Sequence, residues 1–101
     1  MEAVLSHEAF KQSVNTKFQI PIAEESCVEL ELTEVSELKL YPQQEEFSIV
    51  FRGPLESFLD QGIQTFDHEK LGQFELFLVP IRQDEHGFYY EAVFNRLREQ
   101  S

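Results

Sequence analysis

The chain has 101 residues, of which 19 are acidic and 8 basic, for a formal net charge of −11. One domain spanning 1–101 is expected at that length, and 42% hydrophobic residues with 13% aromatics can build a core and argue against disorder. The scarcity of Lys and Arg disfavours nucleic acid and anionic membranes, the lone Cys27 leaves no internal disulfide or cysteine-pair zinc site, and no apolar run nears the ~20 residues of a membrane helix.

In chain order, Ser6 has the character of an N-cap for a short helix over 7–14. Leu5 and Phe10 have the spacing of a hydrophobic staple, and Glu8 suits the positive end of the helix dipole. Phe10 and Val14 share a face, so the helix should lid something apolar. The start, MEAVLSHEAFKQ, lacks the basic residues and continuous apolar stretch of a secretion signal, and a cytoplasmic location is expected.

The hydrophobic period then changes to two. In KFQIPI the residues Phe18, Ile20 and Ile22 alternate, and Pro21 argues for an edge strand. CVELELTEV alternates Val28, Leu30 and Leu32 against Glu29, Glu31 and Thr33, the pattern of a half-buried antiparallel strand. The phase slips across Val35, Leu38 and Leu40, which predicts a bulge or bend, and YPQQEE reads as a polar loop. EFSIVFRG puts Phe47, Ile49 and Phe51 on one face and Ser48, Val50 and Arg52 on the other. Gly53 and Pro54 end it, and 55–59 is read as a short helical turn. A strand IQTF stops at DHEKLG. QFELFLVPI has Phe74, Leu76 and Leu78 on one side with Phe77 and Val79 on the other, so it is expected to be the central, most buried strand. RQDEHG is a hairpin connection in which Gly87 can take positive φ. FYYEAVFNRL closes the set, with Phe88, Tyr90, Ala92 and Phe94 inward and Tyr89, Glu91 and Val93 opposite. Six strands and one N-terminal helix predict a mainly β domain. A small antiparallel barrel is preferred because closure removes apolar edges, with a two-sheet sandwich as the alternative.

Two clusters invite a functional reading. Asp67, His68 and Glu69 could contribute to a metal site, but adjacent residues of an extended chain point to opposite faces, and real zinc sites show ligand spacing that is missing here. A polar turn is expected instead, with Asp67 accepting backbone hydrogen bonds and Gly72 completing the reversal. The Asp84–Gly87 stretch DEHG likewise reads as a hairpin loop, with His86 a surface group. Cys27 lies beside Glu24 and Glu25, which would weaken it as a nucleophile. Ser48 and Ser57 lack a motif that supplies a base. There is no glycine-rich phosphate loop, and Glu24/Glu25 and Glu45/Glu46 are assigned to polar loops where no carboxyl is shielded. No enzyme activity, cofactor or metal is therefore expected. Arg52 is expected to brace a strand end by pairing with a carboxylate. Tyr89, Val93 and Phe77 could form an exposed apolar strip, a candidate protein contact.

FSIVFRGP (Phe47–Pro54), LDQGIQTFDHEKLGQFELFLVPI (Leu59–Ile81) and YYEAVFNRL (Tyr89–Leu97), after the opening LSHEAFKQSVNTKFQI, resemble a family of small bacterial proteins known only as a domain of unknown function. Members usually carry Pro after the histidine, where this chain has Glu69. The resemblance brings no catalytic residues. It implies a role beside proteins like phage tail-collar modules, as an accessory or assembly factor.

The expected function is thus a non-enzymatic interaction protein that meets a protein partner with a basic face, as monomer or homodimer. The alternative is a small-ligand or metal-binding barrel whose pocket uses His68, Arg52 or Tyr90. A third reading, a DNA-mimicking inhibitor, rests on the acidity and the local carboxylate spacing of VELELTE.

Overall fold

The computed structural model describes residues 5–97; the first residues of the start read above as lacking a signal lie outside that range. One short helix, α1 (His7–Lys11), precedes seven strands. These are β1 (Lys17–Ala23), β2 (Ser26–Val35), β3 (Lys39–Leu40), β4 (Gln44–Gly53), β5 (Gly62–His68), β6 (Gly72–Asp84) and β7 (Gly87–Leu97). The antiparallel sheet runs β2-β1-β5-β6-β7-β4-β3, and a further β2–β4 pairing closes six of the strands into a barrel. The preferred expectation, a small antiparallel barrel with one helix, describes the molecule, and the sandwich does not.

Alternation sets the barrel wall. Phe18 and Ile20 of β1, Val28, Leu30 and Leu32 of β2, Phe47, Ile49 and Phe51 of β4, Phe66 of β5, Leu76 and Leu78 of β6, and Tyr90, Ala92 and Phe94 of β7 form one core. Aromatic rings fill its interior: Phe18 meets Phe51 edge-on at 5.2 Å, and Phe66 stacks on Phe74 at 5.4 Å. Each such side chain contributes about 1.5–3 kcal/mol when fully buried.

Helix α1 lids one end. Ser6 caps it by accepting from the Ala9 N–H at 3.1 Å, and Phe10, fully buried, reaches Phe47, Phe74 and Phe94. The helix is shorter than the predicted 7–14. Ser13 turns its hydroxyl back to the Ala9 carbonyl, and Asn15 takes a left-handed φ of 73°, which suits Asn better than most residues. Across the other end runs the segment between β4 and β5, predicted as a helical turn. It makes one turn after Pro54 and is then extended, and Leu59 buries itself there.

The expected phase slip has two causes. The β2–β4 register shifts between Leu32 and Glu34, and Lys39–Leu40 leave β2 to pair with Glu45 and Glu46. The predicted 41–46 loop is correspondingly shorter, because β4 already begins at Gln44. The edge strand expected from Pro21 is not found: β1 stands between β2 and β5, and Pro21 is accommodated where the β1–β2 register shifts between Pro21 and Ala23 and where β1 joins β5 by the single pair Gln19↔Asp67.

The expected burial of β6 is overturned. Strand β6 is not the most buried; its outer residues Phe77 and Ile81 are exposed, whereas β4 buries Phe47, Ile49, Val50 and Phe51. A barrel has one interior, and among the described residues no element packs outside β5 and β6. An apolar residue on their outer face therefore stays in water.

Candidate functional site

The candidate cluster Asp67–His68–Glu69 is resolved by the length of β5, which runs through His68 rather than stopping at Phe66. Asp67 and Glu69 face solvent, while His68 points inward and keeps only 4% of its surface exposed. The expected acceptor, Asp67, is not the one that holds the turn. His68 Nδ1 accepts from the backbone N–H groups of Lys70 and Leu71, each at 3.1 Å. The ring proton must then sit on Nε2, and it donates to Thr16 Oγ1 at 2.9 Å. The Thr16 hydroxyl in turn donates to the Ser13 carbonyl at 2.6 Å. Phe18 lies against the ring at 4.2 Å between centroids. Burial, the largest influence, pushes the His68 pKa below its ordinary 6.5, Lys70 acts the same way and Glu69 opposes them. Gly72 completes the reversal as expected, with φ 79°.

Both nitrogens of His68 are thus spent on protein groups, which leaves no lone pair for a metal. Among the described residues no three His, Cys, Asp or Glu side chains gather as a metal site. Beside His68 lies a surface hollow of about 310 Å³ lined by Thr16, Lys17, Gln19, Asp67, His68 and Glu69. The other residues of the ligand alternative are engaged as well. Arg52 pairs with Glu31 across β2 and β4, as the bracing role predicts, and Lys17 approaches the same carboxylate at 3.8 Å. The Tyr90 hydroxyl accepts the Leu59 N–H.

The same pairings bear on the acidic face of VELELTE. Glu31 is held by Arg52 and Lys17, and Glu29 accepts from Gln19 Nε2 at 2.8 Å. These are cross-strand contacts that hold carboxylates to the wall and do not present them as a free row.

The apolar strip separates. Tyr89 is 8% exposed, with Arg82 stacked over its ring at 4.1 Å and its hydroxyl donating to Asp84 Oδ2 at 3.1 Å. The expectation that Tyr89 belongs to an open strip fails because the hairpin folds a cation over it. Asp84 also accepts the His86 N–H, and that bond above all holds its carboxyl below the ordinary range. Val93 is 62% exposed and pairs with Ser48, while Phe77 is 51% exposed on β6. Its direct cross-strand partner is Ile63 of β5, 68% exposed. Ile63 escaped notice because its strand looked short and isolated. Its fixed register against Phe77 is a property of the fold.

Arg96 was also missed. Its guanidinium donates to the Leu5 carbonyl and to Glu45, and lies over Phe47 and Phe94. Glu45, expected in a loop, stands in β4 opposite it.

A family model described as a domain of unknown function (DUF6916) matches residues 5–94. The chain belongs to this family. The match extends from the residue before the Ser6 cap to the last buried Phe of β7, so the DUF6916 domain and the barrel with its lid coincide. No curated protein and no solved structure matches the chain. No helix among the described residues of this DUF6916 member is long and apolar enough to cross a membrane.

Proposed function

We propose that this domain is a non-catalytic docking module that binds a protein partner through the outer wall of β5, β6 and β7. The observation that carries the reading is the Ile63–Phe77 pair. Two large apolar side chains are paired in register on a rigid sheet, and both are mostly in solvent. Val93 adds a third exposed apolar side chain on the same wall. An excess of 11 negative charges would steer the domain toward a basic partner, and the apolar residues would supply affinity once docked. By family resemblance the partner belongs to a phage-tail-like assembly, in which the domain serves as an accessory or assembly factor.

The ligand or metal reading has less support. Phe18, Phe51, Phe66 and Tyr90 occupy the barrel interior where a small molecule would bind. The hollow beside His68 offers Asp67, Glu69 and Lys17 as polar groups, but the imidazole is already committed.

Affinity capture from lysate of the source organism, at moderate salt and with mass spectrometry, tests the proposal. A stoichiometric protein with a basic face, encoded among tail-like components, is the expected result. Absence of any such protein, together with a thermal shift on adding a metal or metabolite, would move the assignment to the ligand reading.

A further inference from the structure

His68 joins three segments that are far apart in sequence. Through Nδ1 it holds the turn between β5 and β6 by two backbone N–H groups. Through Nε2 it holds Thr16, just before β1. Thr16 passes the chain of hydrogen bonds to Ser13, whose own hydroxyl donates to the Ala9 carbonyl of α1 at 3.0 Å. The ladder beside this relay is the weakest closure of the barrel, the one pair Gln19↔Asp67.

We propose that His68 is a proton-operated latch for the α1 end of the barrel, closed when the imidazole is neutral and opened when it is protonated. The geometry gives the mechanism. A proton can add only at Nδ1, and there it would face two N–H donors with no acceptor to receive it. Either the 69–71 turn withdraws or the ring rotates out. Rotation takes Nε2 from Thr16, so the relay that runs on to Ser13 and α1 loses its anchor on the β5–β6 turn. The β4–β7 ladder has no part in this network and pairs continuously from Gln44↔Leu97 to Gly53↔Phe88; β2 meets the network only through the backbone of Asn15 and Thr16, both bonded to Leu32. Opening is therefore local to the β1–β5 seam and the α1 side of the relay, with Phe10 and the Arg96–Leu5 bond still holding the helix to β4 and β7.

The charged groups around the ring are Glu69 and Lys70 on its turn, Asp67 before it and Lys17 on β1. Glu69 favours the added proton and Lys70 opposes it. The segment leading into β1 presents the Thr16 hydroxyl, and β1 presents the uncharged Phe18 ring. No carboxylate accepts from the imidazole among the described hydrogen bonds, so an imidazolium would gain no direct partner in the closed form.

The test is a site-resolved NMR titration of the whole chain from about pH 7.5 to about pH 5. The His68 ring and the amides of Lys70, Leu71 and Thr16 should share one midpoint below 6.5. Across it, Lys70 and Leu71 should lose exchange protection, corrected for intrinsic rates, while Phe51 and Tyr90 in the β4–β7 ladder keep theirs. His68→Asn, a neutral residue that cannot titrate, should abolish the coupled transition. Should that variant fail to fold, the wild-type titration decides alone. Lys70 and Leu71 amides that stay unmoved while His68 titrates would overturn the latch. So would a single step in which the β4–β7 ladder melts together with the turn.

Discussion

The backbone N–H of Leu59 donates to the Tyr90 hydroxyl at 3.0 Å, inside the end of the barrel opposite the helix. That bond ties the segment crossing from β4 to β5 to the centre of β7. Burial raises the Tyr90 pKa, against the smaller lowering effect of the Leu59 N–H. Tyr90→Phe keeps the ring but strands a buried donor, which costs about 1–3 kcal/mol. Chemical denaturation should show that loss with the m-value unchanged, and exchange protection at Leu59 should fall further than at Phe51.

Arg96 does for the helical end what Tyr90 does for the other. One nitrogen holds the Leu5 carbonyl ahead of the helix, another holds Glu45 at 3.0 Å, and the guanidinium plane covers Phe47 and Phe94. Arg96→Ala should lower stability by roughly 1–2 kcal/mol, a part-exposed charged hydrogen bond being worth less than a buried one. Arg96→Lys should recover only part of the loss, because an ammonium cannot make the forked contact or lie flat on the rings. Thermal melts of the three proteins give the order directly.

Gly87 is required for space. A Cβ there would stand 2.2 Å from the Gly53 carbonyl oxygen and 3.1 Å from Arg52 Cγ, and the first of these is backbone that cannot swing aside. Gly87→Ala should destabilise the β6–β7 hairpin by about 1–3 kcal/mol, as overpacking does. Gly62→Ala, where a Cβ meets nothing within 4 Å, is the control and should have a smaller effect. Equal melting points for the two variants would contradict this account of Gly87.

Alternation alone was enough to locate the six wall strands, because in a small barrel each strand has one wet face and one dry one. That same rule misjudged QFELFLVPI. Apolar residues on both faces normally mean a covering layer, but here Phe77 and Ile81 are simply exposed. The sequence marks His68 as a turn residue because Asp, His, Glu and Gly are turn-forming types. Its inward phase, two residues after Phe66, was available in the sequence, but Thr16 as its partner was not. Fifty-two positions separate the two, and only barrel closure brings them together. Tyr89 was placed on the outer face correctly; the covering Arg82 depends on a register shift between Pro80 and Arg82 that no periodicity encodes.

The buried neutral His68 makes global stability depend on pH with a definite sign. Its folded pKa lies below the unfolded 6.5, so the unfolded chain binds the proton first. The stabilisation is complete above about pH 6.5 and is lost as pH falls through the folded pKa. Denaturant midpoints should therefore drop on acidification below 6.5 in the wild type, and less steeply in His68→Asn. Tyr90 acts at the other extreme: with its folded pKa raised above 10, stability should decline as the pH rises past 10.

The central claim, a protein-docking wall at Ile63, Phe77 and Val93, is tested most directly by parallel affinity capture with wild-type and Phe77→Asp protein from the same lysate. Phe77 is half in solvent, so the variant should fold, and matching circular dichroism and melting would establish that. The account predicts one stoichiometric partner with the wild type and its loss with Phe77→Asp, a change of at least about 2 kcal/mol if Phe77 is a hot spot. Undiminished recovery of the same partner on the folded variant would contradict it.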